Sequence, residues 1–390
     1  MVKPVKLALL GSTGSIGRQT LDVISQYPEY FSVEALIANN NTSLLAEQAR
    51  KYNPRYVVIA NEERYCELKD ELKDYKGDIL SGHKAVLEAM KLPQIDMVVN
   101  ATVGYSGLLP TLEAINAKKD ISLANKETLV VAGEIVMSLA KENGVKIYPV
   151  DSEHSAIHQC LKGESPESIQ QLIITASGGP FRKLDMTELE SVTPAAALKH
   201  PNWQMGAKIT IDSATMMNKA FEIIEAYWLF GIPAERIKPM VHPQSIVHSM
   251  VEFADGSVKA QLGVPDMRIP IKYALSRDNR LPSKDFSQHI SLSQFATLTF
   301  EEPDVNKFPC LKFAYIALEK KGNSACIINA ANEIAVDAFL KGKIKFTRIP
   351  DVIGYTLHNA TFIVNPSVEN YVESNHEARS IASEFIKKLN

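Results

Sequence analysis

The first 150 residues alternate short apolar runs with helical patterns, and this alternation constrains the fold more than any other feature of the chain. The apolar runs lie at 5–10, 33–38, 56–60, 97–101, 120–124 and 145–150. Segments with helical spacing, such as 43–52 and 84–90, lie between them. Short strands separated by helices are typical of βαβ units, so the pattern predicts an N-terminal parallel α/β sheet.

The chain after residue 150 has a different character. Segments 171–176, 208–212, 238–242, 245–253 and 257–263 are predicted strands, and the last two flank the hairpin-turn signal Asp255-Gly256. From about residue 311 the spacing is almost entirely helical. We therefore predict four regions: the parallel α/β domain at 1–150, an α+β domain at 151–285, a connector at 286–310 and a small C-terminal helical domain at 311–390.

Composition excludes several classes of function. The 390 residues are 45% hydrophobic and 22% charged, which suits a globular enzyme of two or three domains. A net charge of −3 provides no basic footprint for nucleic acid, and no apolar run reaches the ~18 residues of a membrane span. The four cysteines are scattered, which favours a reducing compartment. With no signal-peptide pattern at the start, we expect a cytoplasmic protein.

A glycine-rich turn follows the first predicted strand. The segment Gly11-Ser12-Thr13-Gly14-Ser15-Ile16-Gly17 opens a predicted helix. Glycines let the backbone approach a pyrophosphate, and a helix N-terminus supplies free N–H groups and partial positive charge. A tight structural turn is the alternative. Its place between the first strand and the first helix of a βαβ array predicts a dinucleotide site and a Rossmann-like sheet.

The end of the second predicted strand bears on the choice of dinucleotide. NAD-binding proteins usually carry an acid there, whereas this chain has Asn39-Asn40-Asn41. The missing acid favours NADP. No arginine or lysine is present to bind a 2′-phosphate, however, and an asparagine amide would donate to it only as a neutral group. Asn125-Lys126-Glu127, after the strand at 120–124, occupies a position where nicotinamide and substrate can meet.

Two carboxylates follow the last strand of the parallel array, in Asp151-Ser152-Glu153. Ligands gather beyond the carboxyl ends of such strands, and side chains at i and i+2 of an extended chain point to one side. Asp151 and Glu153 are therefore candidate oxygen ligands of one metal ion. Two solvated loop acids are the alternative, and His154 with His158, at i and i+4, leaves a zinc site open.

A second candidate site lies on a predicted helix. Asp212-Ser213-Ala214-Thr215 is predicted to end a strand and to cap this helix. Asn218, Lys219 and Glu222 share one face near the helix N-terminus, which favours anions. An amide, an ammonium and a capping hydroxyl suit a phosphate group, and Glu222 is a candidate third metal ligand. An exposed Lys219–Glu222 pair is the alternative.

Two loops carry further candidates. Ser177-Gly178-Gly179 follows the strand at 171–176 and provides a hydroxyl on a flexible backbone. The segment 199–206 contains His200 and Trp203, and we predict that it forms a lid over a ligand. A surface tryptophan packed on its own loop is the alternative.

These motifs together resemble a known family. They are Gly11-Ser-Thr-Gly-Ser-Ile-Gly17, Ala124-Asn-Lys-Glu127, Val150-Asp-Ser-Glu-His-Ser-Ala156, Ala176-Ser-Gly-Gly-Pro-Phe-Arg182, His200-Pro-Asn-Trp203 and Asp212-Ser-Ala-Thr-Met-Met-Asn-Lys219. In this order, and over essentially the whole chain, they resemble the 1-deoxy-D-xylulose 5-phosphate reductoisomerase family of the non-mevalonate isoprenoid pathway.

The resemblance implies an NADPH-dependent homodimer that requires Mg²⁺ or Mn²⁺, acts on a sugar phosphate and has its catalytic domain at 151–285. It implies a metal site at Asp151, Glu153 and Glu222, and catalytic roles for these three acids, Lys126 and His200. It implies substrate binding by Lys126, Ser152, Glu153, Ser177, His200, Trp203, Ser213, Asn218, Lys219 and Glu222. It implies NADPH binding by Thr13, Gly14, Ser15, Ile16, Asn39, Asn40, Asn41, Asn125, Glu127 and Gly206.

One departure and two other functions remain open. Relatives often have a glycine and then a basic residue where this chain has Asn39-Asn40, which bears on the preference for NADPH over NADH. A semialdehyde or sugar-phosphate dehydrogenase without isomerisation is one alternative, but an acyl-enzyme version needs a nucleophilic cysteine, for which Cys160 is poorly placed. A non-catalytic NADP-binding regulator is the other, although the intact acids and lysines argue against lost catalysis.

Overall fold

The computed structural model describes residues 3–199, 206–284, 289–291, 293 and 297–389. These residues fall into two compact units. The first lies within Met1–Thr128, Val136–Ser155 and Asp266–Phe286, and the second within Leu129–Ile135, Ala156–Pro265 and Ser287–Asn390. The four-part division of the sequence stays a prediction.

The first unit is built on a parallel sheet, as predicted. Its strands are β1 (Val5–Leu10), β2 (Phe31–Ala38), β3 (Tyr56–Ile59), β4 (Asp78–Ser81), β5 (Met97–Asn100), β6 (Asp120–Leu123) and β7 (Ile147–Pro149). They lie in the order β4-β3-β2-β1-β5-β6-β7, and every pairing is parallel. The central strands are continuous apolar runs because helices cover both faces of such a sheet.

Helices occupy most of the remaining described chain. They are α1 (Ser15–Gln26), α2 (Thr42–Tyr52), α3 (Tyr65–Glu71), α4 (Gly82–Met90), α5 (Leu108–Asn116), α6 (Glu127–Asn143), α7 (Ser152–Cys160), α8 (Met186–Glu190), α9 (Pro194–Ala197), α10 (Ala207–Ala214), α11 (Met217–Phe230), α12 (Arg268–Leu275), α13 (Lys312–Lys320), α14 (Ser324–Leu340), α15 (Ile349–Asn359) and α16 (Val368–Leu389). Among the described residues, none of these helices has both the length and the apolar character that crossing a membrane would require.

The strand order of the first unit locates a ligand crevice. β1 has β2 on one side and β5 on the other, so the direction in which successive strands are added reverses at β1. Ligands bind beyond the carboxyl ends of the strands at such a switch point. The glycine turn leaves β1 at this edge, and the segment 101–107 leaves β5 beside it.

The second unit contains a mixed sheet and the C-terminal helices. Its strands are β8 (Ile169–Ala176), β9 (Ile237–Val241), β10 (Val247–Phe253) and β11 (Val258–Leu262), in the order β11-β10-β8-β9. β10 is antiparallel to β8 and β11, while β8 and β9 are parallel. One hydrophobic core joins this sheet to α11 and α14, through residues such as Leu172, Phe221 and Phe339. The predicted α+β region and helical C-terminus are therefore confirmed.

One predicted strand is wrong. Residues 208–212 belong to α10 and not to a strand. The sequence Lys-Ile-Thr-Ile-Asp alternates in polarity, but Thr210, Ile211 and Asp212 are all buried. An i,i+4 ion pair of 2.8 Å between Lys208 Nζ and Asp212 Oδ2 supports the helical conformation. The strand prediction assumed that burial would alternate along with polarity. Because consecutive residues are buried, polarity does not report the exposure of this segment.

Candidate active site

The glycine turn of the first unit is shaped by close backbone approach. Gly11 has φ 77°, and a Cβ there would collide with the carbonyl group of Ala101. A Cβ on Gly17 would collide with Gly11 O and would lie 2.7 Å from Ser12 C. Gly14 precedes the first residue of α1, whose N–H groups face the turn. The turn can therefore present a helix N-terminus to an anionic group at the switch point.

We expect Gly17→Ala to weaken dinucleotide binding at least about tenfold, because the methyl group would collide with Gly11 O and the backbone of the turn must shift to admit it. The measurement is titration of nicotinamide fluorescence with the variant. Gly354→Ala is the matched control, since its Cβ would lie 3.9 Å from the Phe313 ring. Equal affinity of Gly17→Ala and parent would contradict a role for this turn.

The asparagines that follow β2 are exposed, and two of them already have local partners. Asn41 Oδ1 accepts from Leu44 N at 3.1 Å and so caps α2. Asn40 Oδ1 accepts from Asn61 Nδ2 at 2.9 Å. The Asn41 side chain has a structural role, and its assignment to NADPH stays a prediction.

Lys126 and Asp151 form a buried pair at the carboxyl edge of the sheet. Lys126 Nζ donates to Asp151 Oδ2 at 2.5 Å, and the two side chains are 5% and 10% exposed. Burial raises the pKa of Asp151, but Lys126, His154 and a hydrogen bond with Glu153 outweigh it and hold that pKa well below its usual range. Asp151 is therefore an ionised carboxylate in a largely dehydrated position, which suits binding of a cation.

The local geometry of Asp151 and Glu153 differs from the extended chain that was predicted. Asp151 precedes α7, and Glu153 lies in its first turn. Asp151 Oδ1 accepts from Glu153 N at 3.2 Å, and Ser152 Oγ donates to Glu153 Oε2 at 2.6 Å. A helix start, and not strand alternation, holds the two carboxylates near each other, so the i,i+2 argument was wrong in its physical basis.

The two histidines of α7 differ in burial. His154 is fully buried, with Nδ1 3.3 Å from Asp151 Oδ1, whereas His158 is half-buried. Among the described residues no group of candidate metal ligands contains both histidines: His154 belongs to one with Asp151, and His158 belongs to none. The structure therefore does not support His154 and His158 as joint ligands of a zinc ion.

In the second unit a lysine, an amide and a carboxylate converge on the first turns of α11. Lys219 Nζ donates to Glu222 Oε2, and Asn218 Nδ2 donates to Glu222 Oε1 at 2.5 Å. Lys219 Nζ also donates to Thr175 O of β8 at 2.5 Å. Lys219 is 3% exposed and Glu222 is 1% exposed, so the alternative of an exposed surface pair is wrong.

The turn after β8 completes this cluster. Gly179 has φ 69°, and a Cβ there would lie 2.9 Å from Ser213 O. Gly179 N donates to Ser177 Oγ at 3.2 Å. Ser177 and Ser213 are both half-buried. The approach of Gly179 to Ser213 O brings the turn after β8 close to the end of α10. This part of the unit can hold a phosphate group.

The predicted capping role of Ser213 is wrong. Ser213 lies inside α10, and Met216, with φ 63°, separates α10 from α11. Thr215 Oγ1 accepts from Met217 N at 3.3 Å at the start of α11. Ser213 therefore reaches the cluster from the end of one helix, and not as the cap of the next.

Three other predicted site residues belong to the segment 199–206. His200 and Trp203 lie outside the described residues. Gly206 is exposed and precedes α10, where its carbonyl accepts from Thr210 N at 3.1 Å.

The segment 101–107 borders the switch-point crevice, and it was not singled out from the sequence. It follows β5, whose place beside β1 could not be known before the strand order was known. The one available signal was an asparagine, Asn100, at the end of an otherwise apolar strand. Asn100 is fully buried and hydrogen-bonded to this segment, as described below.

The fold and the glycine turn of the first unit define a dinucleotide-dependent α/β oxidoreductase. Comparison with family models narrows this class. Residues 7–133 match the model described as 1-deoxy-D-xylulose 5-phosphate reductoisomerase, 147–230 match that of its C-terminal domain, and 262–381 match that of the DXP reductoisomerase C-terminal domain. The chain belongs to the 1-deoxy-D-xylulose 5-phosphate reductoisomerase family.

Individual relatives agree over the full length. The 1-deoxy-D-xylulose 5-phosphate reductoisomerase of Bacteroides thetaiotaomicron is 53% identical over 384 residues, which cover 98% of each chain. The solved structure of the Zymomonas mobilis enzyme in complex with NADPH has a TM-score of 0.91 and 41% identity, covering 98% of this chain and 99% of that one. A DOX-P reductoisomerase in complex with NADPH, fosmidomycin and magnesium has a TM-score of 0.94 and 39% identity, covering 99% of each chain.

Proposed function

We propose that this chain catalyses the NADPH- and divalent-metal-dependent isomerisation and reduction of 1-deoxy-D-xylulose 5-phosphate to 2-C-methyl-D-erythritol 4-phosphate. The reaction is a step of isoprenoid precursor biosynthesis. Beyond family membership, the observation that carries the proposal is a buried lysine–carboxylate pair in each unit, Lys126–Asp151 and Lys219–Glu222. Buried charges are costly, and a binding site for a charged ligand explains why the chain keeps two such pairs.

We propose Asp151, Glu153 and Glu222 as ligands of one Mg²⁺ or Mn²⁺ ion. The donor set fits, because all three are carboxylates, the hard oxygen ligands that these ions prefer. Lys126 keeps Asp151 in the ionised form that binding requires. When bound, the ion would supply Lewis acidity that polarises the substrate carbonyl and lowers the pKa of the adjacent hydroxyl group.

We propose that Ser177, Ser213, Asn218 and Lys219 hold the substrate phosphate. Two hydroxyl groups, an amide and an ammonium supply charge-assisted and neutral hydrogen bonds to its oxygens. Lys219 Nζ donates to Thr175 O and to Glu222, and these contacts hold the ammonium group in a fixed position. Because the phosphate is remote from the bonds that change, its binding energy can position the reacting carbons.

We propose that NADPH binds the first unit at the glycine turn. Thr13, Gly14, Ser15, Ile16, Asn39, Asn40, Asn41, Asn125 and Glu127 are assigned to it there, with Gly206 from the second unit. The turn fits a pyrophosphate because methyl groups at Gly11 or Gly17 would occupy space that the backbone needs. The cofactor, when bound, supplies the hydride for the reduction. The three asparagines leave the preference for NADPH over NADH to be measured.

The remaining assignments concern substrate handling and assembly. We propose that Lys126, Ser152 and Glu153 contact the substrate beside the metal, and that His200 and Trp203 close over it and exclude water. We also propose that the protein is cytoplasmic, which the scattered cysteines favour, and that it is a homodimer, as the family resemblance implies.

The test is NADPH absorbance at 340 nm with deoxyxylulose phosphate, with and without Mn²⁺. We expect oxidation that requires both the sugar phosphate and the metal. Oxidation without metal would favour a dehydrogenase that does not isomerise. Binding of NADPH with no oxidation would favour a regulator. A thiol-dependent acyl-enzyme is disfavoured by the structure, since burial raises the pKa of Cys160 to about 11.

We expect Lys219→Ala to raise the KM for the sugar phosphate about 30-fold, because a charge-assisted hydrogen bond contributes about 2 kcal/mol. Competition by inorganic phosphate should weaken in parallel. Lys321→Ala, at the end of α13, is the control for loss of a positive charge elsewhere in the same unit. Unchanged KM and unchanged phosphate inhibition would remove Lys219 from the phosphate site.

A further inference from the structure

The segment 101–107 forms one wall of the switch-point crevice. Ala101 N donates to Leu10 O at 3.0 Å, so the segment starts in register with the end of β1. A Cβ on Gly11 would collide with the carbonyl group of Ala101, and a Cβ on Gly14 would lie 4.0 Å from Ala101 O. The glycine turn and this segment therefore touch along their backbones, and a change in one changes the space of the other.

Asn100 holds both ends of the segment. Its Nδ2 donates to Gly107 O at 3.1 Å and to Thr111 Oγ1 at 2.8 Å. Its Oδ1 accepts from Thr102 N at 3.2 Å and from Thr102 Oγ1 at 2.7 Å. The amide is fully buried, and each of its polar atoms has partners within the segment or at the start of α5.

Asn125 holds the middle of the segment from the neighbouring strand. Its Nδ2 donates to Thr102 O at 3.1 Å and to Gly104 O at 2.9 Å. Its Oδ1 accepts from Thr128 N at 2.9 Å and from Thr128 Oγ1 at 2.5 Å, at the start of α6. One side chain thus links the segment to the helix that begins beside Lys126.

Both amides pack on Gly107. A Cβ there would lie 2.7 Å from Asn100 Nδ2 and would collide with Asn125 Oδ1. Gly107 has φ −78°, a value open to every residue, so the glycine is needed for space and not for backbone conformation. This close packing indicates that Asn100, Gly107 and Asn125 form one packed cluster.

We propose that Asn100 and Asn125 form an amide clamp that positions segment 101–107 for NADPH binding. The inference rests on the NADPH dependence proposed above. It assigns Asn100 and Gly107 as positioning residues. It also gives the Asn125 side chain a positioning role within the protein, in addition to its proposed place at the cofactor. The clamp orders the segment before the cofactor arrives, so less conformational freedom is lost on binding.

The test uses the full chain with Asn100→Ala and Gly107→Ala as separate variants. We expect each to raise the Kd for NADPH about tenfold, measured by nicotinamide fluorescence without substrate. Amide hydrogen exchange of residues 102–107 in the cofactor-free protein should speed up, while exchange in β2 and β3 stays as in the parent. At saturating NADPH the kcat should change less than twofold, so the effect appears in KM.

Matched controls separate the clamp from general loss of an amide or gain of a methyl group. Asn143→Ala removes an amide that donates to Leu139 O at 3.0 Å at the end of α6, and Gly354→Ala adds a methyl group that α15 can accept. Both should keep the parent Kd. If Asn100→Ala does not fold, Gly107→Ala, which keeps both amides, carries the test.

Two results would overturn the clamp. One is an unchanged Kd for NADPH in Gly107→Ala. The other is faster exchange of 102–107 without any change in Kd, which would show that the order of the segment does not affect the cofactor. A parent protein that does not bind NADPH would instead contradict the proposed function, so the two failures are distinguishable.

Discussion

Glu222→Gln is expected to lower kcat about a thousandfold while the protein stays folded. Glutamine keeps the shape of the side chain and can still accept the Lys219 hydrogen bond at its amide oxygen. It removes one of three proposed anionic ligands, and Lewis-acid stabilisation of the transition state by a metal is worth several kcal/mol. A loss of about 4 kcal/mol corresponds to about 10³ in rate.

The measurement is kcat as a function of Mn²⁺ concentration, with the parent and the variant compared at saturating substrate. We expect the variant to need far more Mn²⁺ and to stay slow when saturated. Glu319→Gln, on the exposed face of α13, is the control for loss of one negative charge. Near-parental turnover of Glu222→Gln at low Mn²⁺ would contradict its role as a ligand.

Lys126→Met is expected to be the most destabilising change at the site, and to impair turnover. Methionine matches the length of the lysine stem but leaves Asp151 buried without its main cationic partner. Breaking a buried pair in this way costs about 3–5 kcal/mol. Turnover should fall because Asp151 would no longer be held in the ionised form.

The pH dependence of this loss has a definite sign in chelator-treated protein. In the parent, the pKa of Asp151 is depressed, so its stabilising contribution is present above the unfolded-state pKa and is lost as the pH falls towards the folded-state value. In the variant, burial acts without Lys126 and the pKa of Asp151 is higher than in the parent. The cost of burying the ionised carboxylate therefore disappears as the pH falls and Asp151 becomes protonated. The difference in Tm between parent and variant should therefore narrow from pH 8 towards pH 4.

Thermal unfolding at several pH values measures this difference. Lys141→Met, at an exposed position in the last turn of α6, is the matched control and should show a small difference that is constant with pH. A difference between Lys126→Met and parent that widens at low pH would contradict the assigned electrostatic role of Lys126.

The strands of the first unit were predictable from sequence because helices bury both of their faces. Continuous apolar runs result, and six of the seven strands were found within a few residues of their bounds. The exception, Asp78–Ser81, alternates between exposed and half-buried positions, so no apolar run marks it. The strand predicted at 208–212 was wrong because polar and apolar residues alternate there, although the segment is helical and Thr210, Ile211 and Asp212 are all buried.

Residue types at the site were predictable, but their local geometry was not. Asp151 and Glu153 were found by their position after a strand, while the helix start that orients them was missed. The pairing of Lys126 with Asp151 joins residues 25 positions apart, and no local periodicity records such a contact. Asn100 was missed for a different reason: its partners Thr102, Gly107 and Thr111 lie in an irregular segment and at the start of α5, where no periodic pattern marks them.

The central claim is that one chain both rearranges and reduces the sugar phosphate. The most direct test is ¹³C NMR of the product formed from labelled deoxyxylulose phosphate with NADPH and Mn²⁺, with the NADPH consumed counted alongside. We predict a branched carbon skeleton, with one NADPH oxidised for each molecule formed. An unbranched reduced product, or branched product formed without NADPH consumption, would contradict the account.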